Sequence, residues 1–70
     1  MPGEDAIHVP GEVTRVRVAP RLFEVTLENG HVVLAHVAKR DLVRTETLAI
    51  GARVELEMSP FDMAVGRIRF

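Results

Sequence analysis

Three clusters of cations dominate the chemistry available to this chain. Arg67 and Arg69 lie two residues apart near the C-terminus; Lys39, Arg40 and Arg44 cluster mid-chain; Arg15, Arg17 and Arg21 cluster before it. A guanidinium offers a planar fork of donors that fits the oxygens of phosphate or carboxylate. Spacing by two puts Arg67 and Arg69 on one face of a strand, a rigid platform for an anion. The plainer account pairs them across the sheet with Glu55 or Glu57, worth about 0.2–1 kcal/mol each. Arg44 follows Arg40 by four, the same side of an α-helix, where like charges repel and an external anion would relieve them. Alternatively, Asp41 and Glu46 neutralise that group. Arg15, Arg17 and Arg21 form a basic patch ahead of the second strand, or merely keep an exposed edge soluble. His31 and His36 fall on opposite faces of a strand, so that strand alone cannot bring them to one metal. Either could stack on a base or donate to a phosphate, and His31 also fits as a polar residue flanking a turn.

Catalytic chemistry finds little support. The chain has no cysteine. Ser59 and Thr47, which lie near acids, lack a nucleophile elbow or oxyanion motif. No phosphate-binding loop, dinucleotide fingerprint or metal-ligand spacing occurs, so neither an enzyme nor a bound cofactor is expected. The formal net charge is −1. Proteins that bind nucleic acid usually carry a basic surplus, because releasing counterions drives the association. A positive surface here must therefore be local.

These side chains need a scaffold. Seventy residues make one small domain, 1–70, near the lower limit for folding without disulfides or metals. With 47% hydrophobic residues and only three aromatics, the core must be aliphatic. Residues 1–5 are expected to form a flexible leader. The acidic N-terminus does not match a secretory signal and no apolar run is long enough for a membrane span, so a soluble, cytoplasmic monomer is expected.

Strand periodicity starts at Ile7, with Val9, Gly11 and Val13 on one side. The phase slips before Val16 and Val18, which predicts a bulge near Thr14–Arg15; Ala19-Pro20-Arg21 then turns the chain. Phe23, Val25 and Leu27 alternate with Glu24, Thr26 and Glu28. Asn29-Gly30 follows, predicting a two-residue hairpin with both turn residues at positive φ. Leu42, Thr45 and Leu48, spaced by three, suggest a short helix with Asp41 as N-cap, closed by Gly51. Val54, Leu56 and Met58 mark a fourth strand and Ser59-Pro60 a turn. Gly66 precedes a fifth strand, with Ile68 and Phe70 inward and Arg67 and Arg69 outward. Phe61 is expected to pack at one end of the core. Five strands with a helical piece between the third and fourth is the plan of the OB-fold, a Greek-key β-barrel.

The strings LENGHVVLAH, from Leu27, and GARVELEMSPFDMAVGRI, from Gly51, resemble bacterial translation initiation factor 1. That family carries an LENGH…AH hairpin and a tail ending in Pro-Tyr-Asp-Leu-x-x-Gly-Arg-Ile. Glu4-Asp5-Ala6-Ile7 and the Gly11-x-Val13 pair also match, so the likeness spans nearly the whole chain. It implies an RNA-binding protein that docks on small-subunit ribosomal RNA at the decoding site and works with other initiation factors. Arg67, within Gly-Arg-Ile, becomes the foremost contact, and His31 and His36 match family positions. The sequence departs from the family at Val18-Ala19-Pro20-Arg21, where Leu-Pro-Asn is usual. It departs again after the third strand, where the family's loop is more basic and carries an aromatic. Two alternatives remain: a general RNA-binding or RNA-chaperone barrel, and a structural or protein-interaction barrel that has lost the RNA surface.

Overall fold

The computed structural model describes residues 7–70; the expected leader, 1–5, lies outside them. Five strands run β1 (Ile7–Val18), β2 (Leu22–Leu27), β3 (Val32–His36), β4 (Arg53–Ser59) and β5 (Asp62–Arg69), with a 3-10 helix (Lys39–Thr47) between β3 and β4. They close in the order β1-β2-β3-β5-β4, and β4 pairs back onto β1. All pairings are antiparallel except β3 with β5. This closed circuit, with its helix between β3 and β4, is the OB-fold.

Closure depends on β1, which serves two neighbours. Its first half pairs with β4, from Ile7 opposite Met58 to Glu12 opposite Arg53. Its second half pairs with β2, from Gly11 opposite Leu27 to Val18 opposite Leu22. The register shifts between Val13 and Arg15, where the sequence predicted a bulge, and again between Val16 and Val18. The extra residue at Thr14 keeps alternation compatible with a bending strand. Its hydroxyl lies 2.9 Å from the Thr26 hydroxyl across the pair. Val16 and Val18 nonetheless stay exposed.

The core is aliphatic, as the composition demands. Val13, Phe23, Val25, Val33, Ala35, Val37, Leu56, Met58 and Ile68 are buried, and Leu42 and Leu48 pack against them from the helical segment. The spacing of three in Leu42, Thr45 and Leu48 fits this tighter helix, whose side chains align every third residue. Thr45 Oγ1 donates to the Leu42 carbonyl at 2.6 Å, satisfying a buried hydroxyl. The helix starts after Ala38 with no side-chain cap, so Asp41 lies within its first turn and is not the N-cap.

Three further expectations change. The hairpin between β2 and β3 has a three-residue loop: Gly30 N–H donates to the Leu27 carbonyl and Leu27 N–H to His31's, both at 2.9 Å. Within this loop only Gly30 adopts positive φ, +86°, so Asn29 keeps ordinary backbone geometry and its Oδ1 accepts from His31 N–H at 3.0 Å. This is a tight turn followed by a left-handed glycine, the common three-residue alternative to the primed turn. Gly66 also lies inside β5, which begins at Asp62, and Phe70 falls beyond the strand and is exposed.

Gly11 shows how tightly the wall of the barrel is packed. A Cβ there would lie 2.5 Å from Val25 Cγ1 and 3.2 Å from Leu27 Cδ2. Val25 is β-branched and buried, so it has little room to yield. Gly11→Ala should therefore lower unfolding stability by about 1–3 kcal/mol, read from the urea midpoint at unchanged slope.

Candidate nucleic-acid interface

Because Val33, Ala35, Leu56, Gly66 and Ile68 turn inward, their neighbours must turn outward. The register then aligns Leu22, His36, Arg67, Glu57 and His8 as one row across β2, β3, β5, β4 and β1. At the His36 end of that row two loops approach. Val37 N–H donates to the Arg21 carbonyl at 3.0 Å, tying the β1–β2 turn to the end of β3, and Lys39 opens the helix two residues later. Arg21, His36, Lys39 and Arg67 thus come from four places in the chain to one end of the barrel. Arg40 adjoins them on the helix.

The remaining candidates divide by their partners. Arg67 Nη2 donates to Glu57 Oε1 at 2.7 Å. Arg69 Nη1 lies 3.3 Å from Glu55 Oε1, and its Nε is 3.9 Å from Glu57 Oε2. Cross-strand pairing with Glu55 and Glu57, the plainer account of these arginines, is therefore what the fold contains. Arg17 Nη1 donates to Glu24 Oε2 at 2.6 Å, one strand away from His36. Asp41 sits between Arg40 and Arg44, each Nε 3.9 Å from a carboxylate oxygen. In a 3-10 helix, i and i+3 align and i and i+4 do not. Arg44 accordingly faces Asp41, and the expected repulsion between Arg40 and Arg44 on a shared side does not arise. Among the described residues Arg15, Arg21 and Lys39 make no ion pair.

The histidines part company. His36 is exposed beside Arg67, on the outer face. His31 lies at the other end of β3, where its Nε2 donates to the Met63 carbonyl at 2.8 Å. That bond makes it a brace between the hairpin loop and β5, outside the cationic end. Among the described residues, no group of three or more His, Cys, Asp or Glu could hold a metal ion, and no helix is long and apolar enough to cross a membrane.

Sequence reasoning missed an apolar strip beside these cations. Leu34 and Val65 are cross-strand partners on the outer face, with Val32 and Met63 exposed nearby. Phe61, expected in the core, is 88% exposed at the β4–β5 turn. Its backbone N–H donates to Ser59 Oγ at 3.1 Å, so the turn holds the ring outward. The run Val32-Val33-Leu34 concealed the strip, because three consecutive apolar residues do not reveal which face is buried.

The Arg67–Glu57 pair lies at the surface, with side-chain exposures of 40% and 29%. A double-mutant cycle with alanine at both positions should give a coupling of about 0.2–1 kcal/mol. A coupling near zero would mean that the contact is not maintained in solution.

No protein-family model matches the sequence. The solution structure of a translation initiation factor 1, from the Wolbachia endosymbiont strain TRS of Brugia malayi, does match. It superposes with a TM-score of 0.70 at 33% sequence identity, covering 97% of this chain and 82% of that one. Barrel topology, the hairpin and tail strings, and identity over nearly the full length agree: the chain belongs to the translation initiation factor 1 family.

Proposed function

We propose that this protein docks on small-subunit ribosomal RNA at the decoding site during initiation, acting beside other initiation factors without chemistry of its own. Family membership supports the role. The observation that carries the surface assignment is the convergence of Arg21, Lys39, His36 and Arg67 at one end of the barrel. OB-folds bind oligonucleotides with the β2–β3 face and the loops after β1 and β4. Here those loops supply Arg21 and the exposed Phe61.

The cations would contact phosphates and orient the barrel, while the apolar strip through Leu34 and Val65 would lie against sugars or unstacked bases. Binding would act by steric occupancy and by favouring the subunit conformation that accepts the barrel. We take the chain to work as a single-domain cytoplasmic monomer. Two features favour a second reading, a barrel that contacts protein: most of its arginines are paired to carboxylates, and the strip is uncharged.

Sedimentation with purified small ribosomal subunits at two salt concentrations separates the possibilities. The protein should pellet at low salt and less at high salt. Arg67→Ala and Lys39→Ala should each weaken binding roughly fivefold or more, the scale of losing one charge-assisted hydrogen bond. Equal affinity for unstructured RNA would instead indicate a general RNA-binding barrel. Absence of binding to either would indicate the protein-interaction reading.

A further inference from the structure

The two arginines at the end of the chain are already occupied. Glu57 and Arg67 are direct cross-strand partners, as are Glu55 and Arg69. Backbone register places each carboxylate opposite its arginine, and the side chains close the contacts. One oxygen of Glu57 takes the Arg67 hydrogen bond; the other lies 3.9 Å from Arg69 Nε and 3.5 Å from His8 Nε2. Glu55 Oε1 lies 3.3 Å from Arg69 Nη1. Two carboxylates, together with the His8 ring 3.0 Å from Arg69 Nη1, thus lie against the two guanidinium groups that a phosphate would have to reach. Arg21 and Lys39, at the adjoining end, face no such competitor among the described residues.

We propose that Glu55 and Glu57 are specificity-determining residues that hold Arg67 and Arg69 against unspecific polyanions. The inference rests on the RNA-docking reading above and names how that surface discriminates. A phosphate must displace a carboxylate to reach either arginine, and an exposed ion pair resists by a factor of a few. An arginine whose charge is already balanced by a carboxylate also releases fewer counterions from the RNA, so the salt-dependent gain that drives unspecific binding shrinks. A flexible strand, which relies on many weak phosphate contacts, loses at each one. A folded RNA that presents phosphates and grooves in fixed register recovers the cost through its other contacts, so the ratio between the two affinities widens. The overall charge of −1 fits a surface that attracts only at its open end.

The test compares Glu57→Gln and Glu55→Gln with a control of equal charge change, Glu12→Gln, which lies on the outer face of β1 opposite Arg53 but makes no ion pair among the described residues, Arg53 being paired with Glu28. Affinities for a uridylate oligonucleotide and for purified small subunits are measured at several salt concentrations. Glu57→Gln should bind the oligonucleotide about three- to tenfold more tightly, with a salt slope steeper by about 0.7 for one freed arginine. Glu55→Gln should act in the same direction through Arg69, and Glu12→Gln should change affinity less than about twofold. Affinity for small subunits should rise less than affinity for the oligonucleotide. Equal gains in all three variants, or none, would overturn the inference even if the wild type pellets with subunits. Failure of the wild type to bind subunits would overturn the ribosomal reading, while the oligonucleotide arm would still decide whether the carboxylates restrain the arginines.

Discussion

The length of one loop decides what this barrel shows to its surroundings. Three residues between β2 and β3 pair Val25 with Val33 and Phe23 with Ala35, so the inward face receives Val33, Ala35 and Val37. A two-residue loop at Asn29-Gly30 would pair Val25 with Leu34 and Phe23 with His36, carrying His36 into the apolar interior and Val33 out of it. A shift of one residue inverts every side chain on a strand. Small residues fit the interior where five strands crowd together: Ala35 sits beside Gly66 on β5, where even a Cβ would lie 2.9 Å from Met58 Cγ. The bulky alternatives, Leu34 and His36, are pushed outside.

Everything proposed for the surface follows from that parity. With Ala35 and Gly66 inward, His36 and Arg67 must be outward neighbours, and Glu57 and His8 complete the row around β4 and β1. The same parity places Leu34 next to Val65, so an apolar strip and a cationic end share one side of the molecule. Alternation leaves no freedom to give Arg67 an anion-free setting, because its partner position on β4 is Glu57. The chain thus combines a family barrel with an outer surface on which most arginines lie beside carboxylates. The Val37 N–H bond to the Arg21 carbonyl ties the turn after β1 to the stretch that leads into the 3-10 helix, so the backbones of Arg21 and Lys39 lie at the same end of the barrel.

Much of this was legible from residue pattern alone, and the failures have identifiable physical causes. The barrel plan, the bulge in β1 and the helical piece follow from alternation, a phase slip and a spacing of three. Asn29-Gly30 misled because both residues tolerate positive φ, while the choice between loop lengths rests on which face of β3 fills the core. Asp41 looked like a cap, yet the helix begins at Lys39 and the carboxylate serves Arg40 and Arg44. Spacing by four implies a shared side only in an α-helix, so the tighter helix redistributes the cations. Phe61 illustrates a different limit: hydrophobicity favours burial, but Ser59-Pro60 and the Phe61 N–H bond to Ser59 Oγ fix a turn that points the ring away from the core. The carboxylate partners of Arg67 and Arg69 were foreseeable as cross-strand neighbours. Their combination with Arg21 and Lys39 at one end required the tertiary register.

Strand parity assembles the end of the barrel that is proposed to meet RNA. Residue-by-residue broadening of backbone amide signals on adding substoichiometric small ribosomal subunits tests that contact most directly. Selective early loss at Arg21, His36, Lys39, Arg40 and Arg67, with Pro10's neighbours and Glu28 persisting, is the expected pattern. Broadening centred on the β1–β4 side around Glu12 and Arg53, with the His36 end unaffected, would contradict it.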